Sequence, residues 1–134
     1  MPTHLLMTFV AVLFGVAGVA LTFLPAELAQ WAAGASPGPG GLLVLQVMGA
    51  LYFAFAMVAW TARGSVLGGI YGRAVTIGNL TYALVAGLAL ARAAPAGSLV
   101  VWAAAALHLL LALVFGRMLL THPARATPQA RSSD

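Results

Sequence analysis

Four long apolar stretches limit what this chain can fold into. They run from Leu5 to Leu24, Gly41 to Ala62, Ala74 to Ala91 and Ser98 to Leu120. About 20 helical residues cross the roughly 30 Å hydrocarbon core of a bilayer, so each stretch is long enough to span it. The composition agrees. Of 134 residues, 63% are hydrophobic and 6% charged, against about 25% charged in soluble domains. Too few charges remain to cover a water-facing surface, and lipid is the expected solvent.

The breaks between the stretches are punctuated by proline and glycine. Pro25 ends the first. "GASPGPGG", Gly34 to Gly41, reads as an aqueous loop, because that density of both residues defeats a helix. "APAG", Ala94 to Gly97, reads as a tighter turn. The polar, proline-containing segment from His122 to Asp134 has nothing to bury and reads as a disordered tail. The expected fold is therefore an all-α, integral-membrane, antiparallel four-helix bundle over residues 1–121, followed by a tail over 122–134. The first stretch reads as a retained span rather than a signal peptide. No Lys or Arg precedes it, and it exceeds the 7–15 apolar residues of a signal core.

The formal net charge is +4, from six basic and two acidic residues. The arginines lie singly along the chain, so they read as topology charge rather than as a nucleic-acid surface. With four spans, Arg63, Arg73, Arg117, Arg125 and Arg131 share one side, and the other holds Arg92 and Glu27. The positive-inside rule then places both termini in the cytoplasm and the protein in a bacterial inner (plasma) membrane. The absence of cysteine excludes disulfides, thiolate chemistry, iron–sulfur ligation and lipobox acylation.

Little hydrophobic force acts between helices in lipid, so close approach depends on small residues and interhelical hydrogen bonds. Small or polar stripes can be traced on every span. They are Thr8, Ala11, Gly15, Gly18 and Thr22 on the first, and Gln46, Gly49, Phe53, Ala56 and Trp60 on the second. The third carries Thr76, Asn79, Ala83 and Ala86, with Leu80, Leu84 and Leu88 on another face. The fourth carries Ala105, His108, Ala112 and Gly116, with Leu107, Leu111 and Val114 turned elsewhere. The stripes are predicted to face inward.

"RGSVLGGIYGR", Arg63 to Arg73, joins the second and third spans. It lacks the G-x-x-x-x-G-K-[ST] spacing of a phosphate loop, and no strand precedes it. A helical glycine zipper through Gly64, Gly68 and Gly72 is opposed by the extra Gly69 and the flanking arginines. The segment reads as a cytoplasmic elbow, with a tightly packed first turn of the third span through Gly72 as the variant. Trp60 and Tyr71 suit the headgroup belt, and Arg63 and Arg73 suit an anionic leaflet. Arg63, Tyr71 and Arg73 thus form a candidate lipid-headgroup set, against the blander reading that they only anchor the spans.

Polar groups inside the spans are few. No acid lies there, which disfavours a proton carrier built on an intramembrane carboxylate, and no carboxylate pair exists for acid–base work. His4 and His122 have no third partner for a metal and read as solvated. A haem held by two histidines would need a second one at the depth of His108. No metal or cofactor is expected. The informative residues are Gln46, Tyr52, Asn79, Tyr82 and His108, a polar ladder predicted to lie inside the bundle. Its structural reading is interhelical hydrogen bonding, at about 0.6 kcal/mol on average. Its functional reading is a ligand pocket or polar pathway, because ionisable groups within membranes mark such sites.

Two stretches carry a resemblance. "GALYFAFAMVAW", Gly49 to Trp60, and "GGIYGRAVTIGNLTYALV", Gly68 to Val85, resemble a group of small uncharacterised bacterial four-span membrane proteins. More distantly, the first span ending in "FLPAELA" and the glycine-containing second span are similar to the DoxX-like superfamily. That resemblance implies a four-helix bundle with accessory roles beside redox enzymes, in cargo handling or in receptor assembly. It implies no shared catalytic residue, and without cysteine any redox role would be indirect. It carries over Gln46, Gly49, Tyr52, Tyr71, Arg73 and Asn79 as a site on spans two and three. The leading expectation is a non-enzymatic bundle that binds a lipophilic ligand or a membrane-protein partner. An oligomeric transporter or channel is the alternative, and a membrane enzyme using His108 comes last because no acid supports the histidine.

Overall fold

The computed structural model describes residues 3–64, 70–94 and 98–121, and the side chains of residues 3, 70 and 71 lie outside that description. Five helices follow one another: α1 (Thr3–Phe23), α2 (Pro25–Ala33), α3 (Pro39–Ala62), α4 (Ile70–Ala93) and α5 (Leu99–Thr121). Four of them, all but α2, are long and apolar enough to cross a membrane, as a multi-pass membrane protein requires. Helices suit that solvent because every backbone hydrogen bond closes within the segment. The outward residues confirm which solvent the surface fits: Val16 is 67% exposed, Leu113 71% and Leu120 84%.

The helix ends explain themselves locally. Pro25 stops α1 and opens α2 at its first turn, where a missing N–H costs nothing. Gly34 then closes α2 in the left-handed conformation, φ 70°, with its N–H donated to the Gln30 carbonyl. The aqueous loop expected up to Gly41 ends sooner, because Pro39 serves as the first-turn proline of α3. Ser98 sits just before α5. Its hydroxyl donates to the Ala32 carbonyl at 2.6 Å and accepts from the Val101 N–H at 3.4 Å. It thereby caps α5 and ties α2 to it.

The elbow is shorter than the sequence suggested. Helix α4 begins at Ile70, so Tyr71, Gly72 and Arg73 belong to its first turn, and Gly72 is buried. Gly68 and Gly69 lie outside the described residues, as do Pro95 to Gly97 and the tail from His122.

The bundle consists of two antiparallel hairpins. Helices α1 and α3 are close partners, as are α4 and α5, while α3 and α4 approach each other closely at only a few positions. Gly18 and Gly49 set the first seam. A Cβ on Gly18 would fall 2.7 Å from the Phe53 nitrogen and 2.8 Å from the Gly49 oxygen. A Cβ on Gly49 would collide with Thr22 and lie 2.8 Å from the Gly18 oxygen. Backbone meets backbone there, and only hydrogen fits. The second seam is close at one point only. A Cβ on Gly87 would sit 2.9 Å from the Leu109 side chain and 3.1 Å from its backbone nitrogen, and one on Gly116 would make ordinary contact with Leu80 at 3.7 Å.

Between the hairpins lies a layer of larger side chains. Leu6, Met7, Val10, Ala11 and Phe14 of α1 are buried in one cluster with Tyr52, Ala56 and Ala59 of α3, Ala83 of α4, and Leu111, Ala112 and Phe115 of α5. This corrects the stripe assignment in several places. Phe53 and Trp60 of α3 are 46% and 44% exposed, so they face outward, and Tyr52 and Ala59 take the inner positions. Leu111, expected to face away, is 3% exposed, and the fully buried Phe115 lies in the same layer. Thr76, Asn79, Ala83, Ala105, His108 and Ala112 are buried as expected. The larger residues move inward because the space between hairpins is too wide for alanine and glycine to fill.

Candidate functional site

The polar ladder resolves into one cluster and two separate residues. Tyr52, Tyr82 and His108, from α3, α4 and α5, meet around Phe14 of α1. His108 is 5% exposed and Tyr52 8%. The Tyr52 hydroxyl lies 2.9 Å from His108 Nε2, and His108 Nδ1 lies 2.7 Å from the Ala104 carbonyl. A carbonyl can only accept, so Nδ1 carries the proton. In the neutral ring Nε2 is then the acceptor, and Tyr52 donates to it. A carbonyl one turn back along α5 thus fixes the tautomer and leaves Nε2 turned toward α3.

Ring packing holds these groups still. Phe14 meets Tyr52 edge to face at 5.3 Å and Tyr82 at 5.5 Å, and lies nearly parallel to His108 at 6.1 Å. Tyr52 and Tyr82 are perpendicular at 5.6 Å, and Phe55 stacks on Tyr82 at 4.7 Å. Such pairs contribute about 0.5–1.5 kcal/mol each beyond burial. Phe14 and Phe55 were absent from the sequence-derived site. A signal for Phe14 existed, since Met7, Ala11, Phe14 and Gly18 share the 4-3-4 spacing of an inward face.

The cluster is reachable from outside the bundle. Where α3 and α4 stand apart, a cleft of about 300 Å³ opens between them, walled by Met48, Leu51, Ala86, Ala89 and Leu90. Tyr52 and Tyr82 also line it, so its apolar walls end on two phenols, with the histidine behind one of them.

The remaining candidates fall elsewhere. Gln46 is exposed and does not join the ladder; its amide reaches across the first seam to the Thr22 carbonyl at 3.5 Å. Asn79 is 1% exposed, one turn along α4 from Tyr82. Its Nδ2 donates to the Val75 carbonyl in its own helix at 2.9 Å, and its Oδ1 is buried without a partner. Arg63 caps α3: its guanidinium donates to the Trp60 carbonyl at 2.8 Å and lies 3.5 Å above the Trp60 ring. That places an arginine and a tryptophan at one end of the bundle, as a headgroup belt requires. Arg73 is half-buried in the first turn of α4, and the Tyr71 side chain is outside the described residues.

The chemistry available to the cluster is that of binding. With the Tyr52 proton given to His108 and the His108 proton given to Ala104, the pair is left to accept at the Tyr52 oxygen, and a bond to a carbonyl must come from the Tyr82 hydroxyl. Glu27, the acid among the described residues, lies on α2, away from the histidine. No protein-family model matches the chain, and no curated protein or solved structure is significantly similar to it.

Proposed function

We propose that this chain is a non-enzymatic accessory protein of a bacterial inner membrane that holds a lipophilic ligand in the cleft between α3 and α4. The cleft carries the reading: its walls are apolar, it faces the side where lipid would lie, and it ends on Tyr52 and Tyr82. A ligand with a long apolar body and one carbonyl or hydroxyl group satisfies both parts. The body lies against Met48, Leu51 and Leu90; a carbonyl accepts from the Tyr82 hydroxyl, or a hydroxyl donates to the Tyr52 oxygen, whose own proton is held by His108. Such sites are mostly apolar with a few placed polar groups. A membrane-protein partner could present the same chemistry from one of its own helices.

The arrangement offers less to the other readings. Phe14, Tyr52 and Phe115 fill the centre of the single bundle, so a channel would have to form between copies. For an enzyme, no carboxylate among the described residues stands behind His108.

Both termini are assigned to the cytoplasm on the charge distribution, since Arg63, Arg73 and Arg117 lie at one end of the bundle and Arg92 at the other. The ligand test is mass spectrometry of organic extracts from gently purified protein. Wild type should retain a discrete lipophilic compound, and Ala86→Phe, which fills the cleft from its wall, should lose it while remaining folded. Equal recovery from both proteins would refute the cleft as the binding place. Reporter fusions at Ala96 and after Asp134 should report opposite compartments, the second cytoplasmic.

A further inference from the structure

A second groove, separate from the cleft, runs between α4 and α5 on the opposite hairpin. It measures about 700 Å³ and is lined by Leu80, Leu84, Leu113 and Gly116, with Arg117 at its end. Gly116 deepens it, because no side chain stands there between Leu80 and the outside. Arg117 is exposed and lies four residues before the end of α5, about 6 Å inside it at 1.5 Å per residue. It therefore projects near the boundary between acyl chains and headgroups rather than into bulk water.

Among the described residues the guanidinium has no carboxylate to neutralise it. Glu27, the acid among the described residues, is in the first turn of α2 at the other end of the bundle. An unpaired charge at that depth draws a counter-ion from its surroundings, and the anion that membranes supply there is a lipid phosphate. Arg63 and Arg73 at the same end add to the attraction. The groove accounts for the other half of the ligand: an apolar trough in lipid is filled by an acyl chain.

We infer that the α4–α5 groove is a binding site for an anionic glycerophospholipid, with one acyl chain along Leu80, Leu84 and Leu113 and the phosphate on Arg117. An arginine that merely anchored its helix would show no headgroup preference and no dependence on the groove. Basic pockets between membrane helices on the cytoplasmic side are where anionic headgroups bind. The site does not depend on the α3–α4 cleft or on what that cleft holds.

Native mass spectrometry of the full chain tests this, with phosphatidylglycerol and phosphatidylcholine of matched acyl chains added in equal amounts. Wild type should retain phosphatidylglycerol about fivefold more than phosphatidylcholine, the factor that one arginine near a membrane surface supplies. Arg117→Gln should remove the preference, and Arg92→Gln, at the other end, should keep it. Leu84→Trp, which fills the groove from a lip that is 43% exposed, should lower retention of both lipids. Equal retention by wild type would overturn the proposal, as would a preference that survives Arg117→Gln. A preference abolished by millimolar inorganic phosphate would show a free-anion site and overturn it too. Should Arg117→Gln fail to fold, Leu84→Trp decides alone: unchanged phosphatidylglycerol retention would overturn the assignment.

Discussion

The seam between α1 and α3 and the layer between the two hairpins solve the same packing problem in opposite ways. In the seam, Gly18 and Gly49 remove side chains so that backbones touch, and nothing can be added. In the layer, Phe14, Tyr52, Tyr82 and His108 hold the hairpins apart with rings. Rings fill space less evenly than close-set backbones, and the cleft beside Tyr52 and Tyr82 is what they leave open. Intimate packing gives the bundle its rigidity, and imperfect packing gives it a place to bind. A site is therefore expected in the layer and not in the seam.

Substitutions can break that contrast. The largest loss should come from Gly49→Leu or Gly18→Leu, at about 3 kcal/mol, because overpacking against backbone cannot relax by rotamer change. Thermal unfolding in detergent measures it. Gly15→Ala is the control, since a Cβ there meets Ala56 at an ordinary 3.8 Å. Equal tolerance at Gly18 and Gly15 would show that the seam is not a backbone contact.

Phe14→Ala should come next. Lipid offsets much of the transfer term, so the cavity term dominates, at about 2 kcal/mol. Ligand retention should fall with it, because three rings lose their common support. Loss of stability with full retention would separate the layer from the cleft.

Asn79→Leu sharpens the comparison in the other direction. The Asn79 amide bonds only within its own helix, and its Oδ1 has no partner. The near-isosteric leucine should therefore raise stability by about 1 kcal/mol. A marked fall would mean that this oxygen is bonded in the membrane. The smallest effect belongs to Tyr52→Phe, which deletes the bond to His108 and should cost about 0.6 kcal/mol. If the cleft works as proposed, ligand retention should fall much further than stability does.

The number and class of the long helices were legible in the sequence because they follow from hydropathy and length. Helix α2 was not, since nine residues with Glu27 and Gln30 fall below any spanning signal. Facing was legible only where small residues settle it. Gly18, Gly49, Ala83 and Ala112 are where the stripes put them, but the α3 stripe through Phe53 and Trp60 is turned outward. In lipid, large apolar residues are equally at home on either side, so periodicity cannot choose between Tyr52 and Phe53. At the candidate site, His108, Tyr52 and Tyr82 stood out as rare polar groups at similar depth. Phe14 did not, because one more phenylalanine in an apolar span carries no mark.

The glycine seam also bears on the order of assembly. Every residue that forms it, from Gly15 to Ala56, precedes Arg63 in the chain. The first hairpin can thus close as soon as α3 leaves the ribosome, while α4 and α5 are still being made. The second hairpin then docks on a finished surface, and the aromatic layer forms last, at a junction between two units that have each already zipped.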